Sequence, residues 1–317
     1  MSDSAPSAIA VEVTGLSHSY GARRALEDLS LRVRRGEIFG ILGPNGSGKT
    51  TLFRILSTLF RADKGDLSVA GADPTGAPAL VRARIGVVFQ SPSLDVKLTV
   101  AENLRHQGHL FGLYGAPLRA RIDALLAALN LSDRRDDLVE TLSGGLARRV
   151  EVAKGLLHEP SLLLLDEPST GLDPGARREL WELLGSLQRE QGITVLVTTH
   201  LLEEAEGCDR LLILDRGRQV ALGSPSELRA GLGGEVLELR GDDAARFAGH
   251  IAEEMGLEAT ALADGSLRLE SEDPVGLAAR VRASYTGEIV GLTVARPTLE
   301  DVFVNATGRR FSEEDES

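Results

Sequence analysis

The sequence predicts an α/β fold organised around a mostly parallel sheet, and three observations carry that prediction. A glycine-rich octet, Gly43-Pro44-Asn45-Gly46-Ser47-Gly48-Lys49-Thr50, joins the apolar run 38–42 to the helical pattern Leu52, Phe53, Ile55, Leu56 and Leu59. Short apolar runs of strand length, 162–165 and 193–197, recur further on, as strands buried on both faces of a parallel sheet require. The 317 residues, 42% of them hydrophobic, supply enough material for a core and suit two domains.

The octet is chemically specific. Glycines lack a Cβ, so backbone N–H groups can turn inward around a polyphosphate while the next helix aims its positive end at the same anion. Lys49 adds a charge near the β- and γ-phosphates, and the Thr50 hydroxyl can ligate Mg²⁺. The competing reading is a chance glycine-rich turn, which the strand before and the helix after it disfavour.

Taken in order, Val11 and Val13, then Leu29, Leu31 and Val33, alternate with polar residues and predict short half-exposed strands. Asp63-Lys64-Gly65-Asp66 reads as a turn before the strand 67–69, and 85–89 as a buried strand ending at Gln90. From about residue 91 to 155 the chain carries helical faces, at 101–111 and 122–129, and reads as a helical insertion. The α/β pattern then resumes with the runs at 162–165 and 193–197. The runs 211–214 and 219–222 form a hairpin around Arg216-Gly217, and Pro225 starts a helix. Gly231, Gly233 and Gly234 mark a domain boundary. Beyond it, strands at 236–239, 267–269 and 289–294 and helices from about Asp243 and from Pro274 predict a small α+β domain over 235–310. Residues 1–8 and 311–317, with Glu313-Glu314-Asp315, read as flexible tails.

Composition removes other classes. The net charge of −12 argues against nucleic acid as a partner, since a duplex rewards clustered Lys and Arg. No run approaches the roughly 18 apolar residues of a membrane span. The first eight residues lack the basic and apolar regions of a signal peptide. A single cysteine, Cys208, excludes an internal disulfide and fits a reducing cytoplasm. The six histidines show no metal-ligand spacing; five of them, 18, 106, 109, 158 and 250, read as surface or structural.

Five further segments accompany the octet: Gln90 after a strand, Leu142-Ser143-Gly144-Gly145 before a helix, Asp166-Glu167-Pro168 closing a strand, Leu172-Asp173, and His200 after another strand. In this order and spacing, residues 9 to about 230 resemble an ABC-type ATPase domain. The resemblance implies a P-loop NTPase core with a mostly parallel sheet, an antiparallel β subdomain and a helical insertion. It also implies ATP and Mg²⁺ as ligands, a homodimer of ATPase subunits, and a separate transmembrane permease.

The resemblance assigns roles residue by residue. Tyr20 stacks on adenine, against the alternative of a strand-end tyrosine that only packs. The octet with Thr51 holds the phosphates, and Thr50, Gln90 and Asp166 surround the cation. Glu167 is the general base that polarises the attacking water, against the alternative of a solvated carboxylate; His200 fixes that water and Glu167. Gln90 links nucleotide state to the helical insertion. Ser143, Gly144 and Gly145 form a segment that closes over ATP held by a second copy, and Asp173 is a further ATP-binding residue. One position departs from the family pattern: Leu146 stands where glutamine is usual, which removes any side-chain amide contact to the partner's nucleotide.

At the C-terminus, Pro297-Thr298-Leu299-Glu300-Asp301-Val302-Phe303 with Thr307-Gly308 resembles the tail of the daunorubicin-resistance type of ABC exporter ATPase; the alternative is an ordinary amphipathic helix. That resemblance implies an ATPase peripheral to the cytoplasmic face of the cell membrane, energising efflux of a hydrophobic compound, such as an antibiotic, through the permease. The segment 98–104 resembles the family's docking region for it. An importer ATPase and a soluble ABC ATPase acting on ribosomes or DNA are the other readings.

Overall fold

The computed structural model describes residues 8–232, 235–241, 251, 260–261, 266–271, 273–284 and 289–311. The chain divides into two compact units, residues 1–219 and 220–317.

The first unit begins with an antiparallel sheet in the order β2-β1-β4, formed by β1 (Ile9–Tyr20), β2 (Arg23–Arg34) and β4 (Lys64–Val69). β1 and β2 are 12 residues each, not the short strands expected. Register shifts near Val13, Leu16 and His18 break the period-two alternation without ending the ladder, so the pattern stops before the strand does. The expected turn at 63–66 is mostly strand as well: Lys64 pairs with Ser17 and Asp66 with Thr14. At Gly65, φ is 99° and an added Cβ would fall 2.7 Å from the Leu16 backbone, so this glycine permits a close strand approach rather than a turn.

The central sheet runs β5-β6-β7-β3-β8-β9, from β3 (Ile38–Leu42), β5 (Ile85–Val88), β6 (Leu162–Asp166), β7 (Thr194–Thr199), β8 (Arg210–Asp215) and β9 (Arg218–Gly223), within which the chain passes into the second unit. The pairs β5–β6, β6–β7, β3–β7 and β3–β8 are parallel. Every residue of β3, β6 and β7 is buried, which explains their continuous apolar runs. Arg216 and Gly217, at φ 46° and 78°, make the two-residue turn between β8 and β9.

Helix α1 (Lys49–Leu56) follows the octet. It stops before Leu59, which the sequence pattern had included: Thr58 turns to φ 66° and leaves Leu59 outside the helix and 56% exposed. A short α2 (Pro78–Arg82) precedes β5. The insertion contains α3 (Val100–Leu110), α4 (Gly115–Ala128) and α5 (Gly144–Leu156). Thr99 and Glu102 cap α3 reciprocally, a capping box. Val100, Leu104, Leu118, Ile122, Leu125 and Val150 form the insertion's share of a core that continues to β5 and β6 through Val88 and Leu163. α6 (Pro174–Gln191) starts on Asp173, ends on Gly192 at φ 66°, and is followed after β7 by α7 (Leu202–Ala205).

In the second unit, α8 (Pro225–Ala230) packs against the last helix, α10 (Leu299–Thr307). An antiparallel sheet, β11-β12-β10-β13, comprises β10 (Glu235–Gly241), β11 (Thr260–Ala261), β12 (Ser266–Ser271) and β13 (Ile289–Ala295). Leu237, Leu239, Leu267 and Leu269 meet Leu277 and Val281 of α9 (Pro274–Ser284) in a separate core. The buried Arg268 donates to the Asp301 carbonyl at 2.9 Å, and Asp301 also forms a capping box with Thr298, so the C-terminal motif is fixed to β12. The helix expected from about Asp243 and the terminal tails lie largely outside the described residues. Among the described residues no helix is long and apolar enough to cross a membrane.

Candidate active site

Parallel pairing brings four strand ends to one edge of the central sheet. Register places Asp166 beside Thr198 and Leu42 beside Thr199, so the segments leaving β3, β6 and β7 emerge together, with Gln90 just beyond β5. This is the edge of an open α/β sheet where ligands bind.

The octet is shaped by glycine. A Cβ on Gly43 would lie 2.3 Å from the Leu214 carbonyl oxygen, and one on Gly48 would lie 2.6 Å from that of Ala25. Gly48 also adopts φ 107° and is the N-cap of α1, so no side chain accepts from the helix's first-turn N–H groups. Lys49 is only 4% exposed, and its ammonium donates to the carbonyls of Gly43 at 2.7 Å and Pro44 at 3.1 Å. Burial lowers its pKa, opposed by the carboxylate of Glu167.

Glu167 is the hub. Its Oε1 lies 3.3 Å from Lys49 Nζ, while Oε2 accepts from Gln90 Nε2 at 3.3 Å and from Thr170 Oγ1 at 3.3 Å. His200 Nδ1 lies 3.1 Å from the same Oε2. The backbone at Glu167 holds φ 44°, a conformation costing about 1–3 kcal/mol for a residue with a side chain. Its N–H donates to Thr198 Oγ1 at 2.9 Å, which holds that strained geometry in place. The sequence-derived residues Lys49, Glu167, Gln90 and His200 are therefore assembled at one point.

Asp166, 4% exposed, accepts from Thr198 Oγ1 at 2.6 Å. Burial raises its pKa, with the Thr198 bond working against the rise. A raised acid favours folding below the ordinary aspartate range, and that contribution disappears as pH climbs through the group's own pKa. A divalent cation would offset the cost of holding this buried carboxylate charged. Stabilisation by Mg²⁺ together with a nucleotide is thus expected to shrink on acidification sooner than an unperturbed carboxylate would dictate, and Asp166→Asn should abolish that pH dependence; thermal unfolding at stepped pH measures both.

The other predicted residues make their contacts elsewhere. Tyr20, 44% exposed at the end of β1, is 3.4 Å from Thr51 Oγ1 and packs edge-on against His18 and Phe60. Ser143 caps α5 by accepting from the Leu146 N–H at 3.3 Å, and Ser143 and Gly144 are exposed. Gly145 permits contact with α6, since a Cβ there would meet that of Ala176 at 2.7 Å. Asp173 is spent on capping, accepting from Gly175 at 2.9 Å and Ala176 at 3.0 Å. Leu146 packs against the core of the insertion, which gives the departure at that position a structural purpose.

Two features escaped the sequence reading. Thr198 ties both carboxylate residues to β7. On α5, the buried Arg148 and Glu151 pair at 2.7 Å and grip the segment carrying Gln90: Arg148 donates to the Phe89 carbonyl at 2.8 Å and the Gln90 carbonyl at 3.2 Å, while Glu151 accepts from the Ser93 N–H at 2.6 Å. Their i,i+3 spacing was visible, but such a pair on a helix usually faces solvent.

A glycine-cradled lysine loop with two strand-end carboxylates at one edge of a parallel sheet defines a P-loop nucleotide-binding ATPase. The ABC transporter family model matches residues 26–170. The Nod factor export ATP-binding protein I of Ralstonia nicotianae is 42% identical, the match covering 95% of this chain and 94% of that protein. The daunorubicin/doxorubicin resistance ATP-binding protein DrrA of Streptomyces peucetius is 40% identical over 94% of this chain and 92% of its own length. Among solved structures, cbiO1 of Clostridium perfringens, part of the ABC transporter complex cbiONQ, shares 30% identity with a TM-score of 0.66, covering 70% of this chain and 91% of that one. The chain belongs to the ABC transporter family, among its ATP-binding proteins.

Proposed function

We propose that this protein is the ATP-hydrolysing subunit of an exporter that moves a hydrophobic compound through a separate membrane permease. The observation that carries the catalytic part is the convergence of Lys49, Gln90 and His200 on the Glu167 carboxylate. In this reading the octet, Thr51 and Tyr20 bind ATP. Water attacks the γ-phosphorus, the bond to the β,γ-bridging oxygen breaks, and Glu167 takes the proton that water loses, giving ADP and phosphate. His200 and Gln90 orient the water and the carboxylate. Thr50, Asp166 and Gln90 would hold Mg²⁺, which when bound neutralises phosphate charge. The ion pair between Lys49 and Glu167 implies that phosphate binding draws the lysine away and frees the base.

Exposure of Ser143 and Gly144 supports a homodimer in which this segment closes over the ATP of the second copy, with Asp173 also binding ATP. Exposed apolar side chains at the α3–α4 connection, Leu110 at 82% and Tyr114 at 61%, support a permease contact on the insertion and hence a position at the cytoplasmic face of the membrane. Export rather than import is supported by the relatives named for Nod factor export and daunorubicin resistance. Cells carrying the chain with its permease should accumulate less of a fluorescent anthracycline than cells with the permease and the Glu167→Gln chain. Equal accumulation across a panel of hydrophobic compounds would contradict export.

A further inference from the structure

We propose that Glu204 is a positioning residue for hydrolysis, holding the segments that carry Glu167 and His200 in mutual register; this rests on the roles given above to those two residues. Glu204 lies on α7 and is 3% exposed. Its Oε2 accepts from Thr199 Oγ1 at 2.5 Å, one residue before His200. Its Oε1 accepts from Ser169 Oγ, two residues after Glu167, and lies 3.7 Å from Arg177 Nε on α6. One buried carboxylate therefore joins three segments: the loop after β6, the end of β7 and the first turn of α6 that Asp173 caps.

The arrangement suits positioning. His200 Nδ1 approaches Glu167 at 3.1 Å, yet no regular hydrogen bond forms between them, so their pairing depends on the backbones that present them. Thr199 serves both sides: it donates to Glu204 and accepts from the Leu201 N–H at 3.0 Å, closing the turn around His200. Glu167 is itself strained, and Ser169 anchors the loop that follows it. Removing the carboxylate releases both anchors at once, and displacement of a catalytic group by about 1 Å costs roughly 10²-fold in rate.

The test is steady-state ATPase and equilibrium ATP binding of the purified full chain. Glu204→Ala is expected to lower kcat by about 10 to 100-fold while ATP affinity stays within about 3-fold, and Glu204→Gln, which keeps one acceptor oxygen, should recover part of the loss. In a His200→Ala background, Glu204→Ala should cost clearly less than it does in the natural chain, because residues acting as one unit are not additive. If Glu204→Ala does not fold, the double variant Ser169→Ala, Thr199→Val should show the same kcat loss. A folded variant with unchanged kcat, or equal losses with and without His200, overturns the inference. Glu167→Gln run alongside separates the two ideas: a fully active Glu167→Gln sinks the site assignment, whereas an inactive one beside unaffected Glu204 variants sinks only this inference.

Discussion

Glu167→Gln is expected to bind ATP and hydrolyse it about 10² to 10⁴ times more slowly than the natural chain, the range a positioned general base supplies. Glutamine preserves the shape of the side chain and its hydrogen bonds to Gln90 and Thr170, so the fold around it should survive. What it removes is the basic oxygen and the anion facing Lys49. The buried ammonium then lacks the charge now 3.3 Å away, which destabilises the nucleotide-free chain and makes phosphate the preferred partner. The variant should accordingly show a larger ATP-induced rise in melting temperature than the natural chain. Calorimetric scans with and without ATP, beside a phosphate-release assay, measure both effects. Near-normal turnover would remove Glu167 from its role.

Lys49→Ala is the second large effect, and it acts on binding. A charge-assisted hydrogen bond is worth about 1.5–3 kcal/mol, so ATP affinity should fall by about 10 to 100-fold. ADP, whose β-phosphate would occupy the same cradle, should also weaken. Loss of the ammonium also leaves the Glu167 carboxylate without its cation, so the variant should unfold at a lower temperature even before nucleotide is added. Titration with a fluorescent ATP analogue measures affinity, and unchanged binding would contradict the phosphate-cradle reading.

Much of this was legible in the sequence because the central sheet imposes simple rules. Strands buried on both faces leave unbroken apolar runs, and the residues just past them, Gln90, Glu167 and His200, stand out as polar groups at strand ends. Glycine-specific geometry in the octet left an equally direct signal, since Gly43 and Gly48 face backbone atoms that no Cβ would clear. The antiparallel sheet was harder to read. Bulges in β1 shift the inward face, and Gly65 looks like a turn residue although it sits in β4 where the chain crosses close to Leu16. The extent of α1 was overread because Leu59 continues the apolar period after the backbone has already turned at Thr58. Long-range polar contacts left the faintest trace: Thr198, Arg148 with Glu151, and Glu204 act through partners distant in sequence, and nothing local distinguishes them from ordinary helix and strand residues.

The central claim is that two copies of this chain enclose ATP between the octet of one and the Ser143-Gly144-Gly145 segment of the other. Its most direct test is the mass and nucleotide content of purified Glu167→Gln chain equilibrated with Mg²⁺ and ATP, read by sedimentation and by counting bound nucleotide. The account predicts a dimer carrying two ATP molecules, which a further Ser143→Arg substitution returns to monomers that still bind ATP. A particle that stays monomeric while saturated with ATP, or a dimer indifferent to both nucleotide and Ser143→Arg, would contradict it.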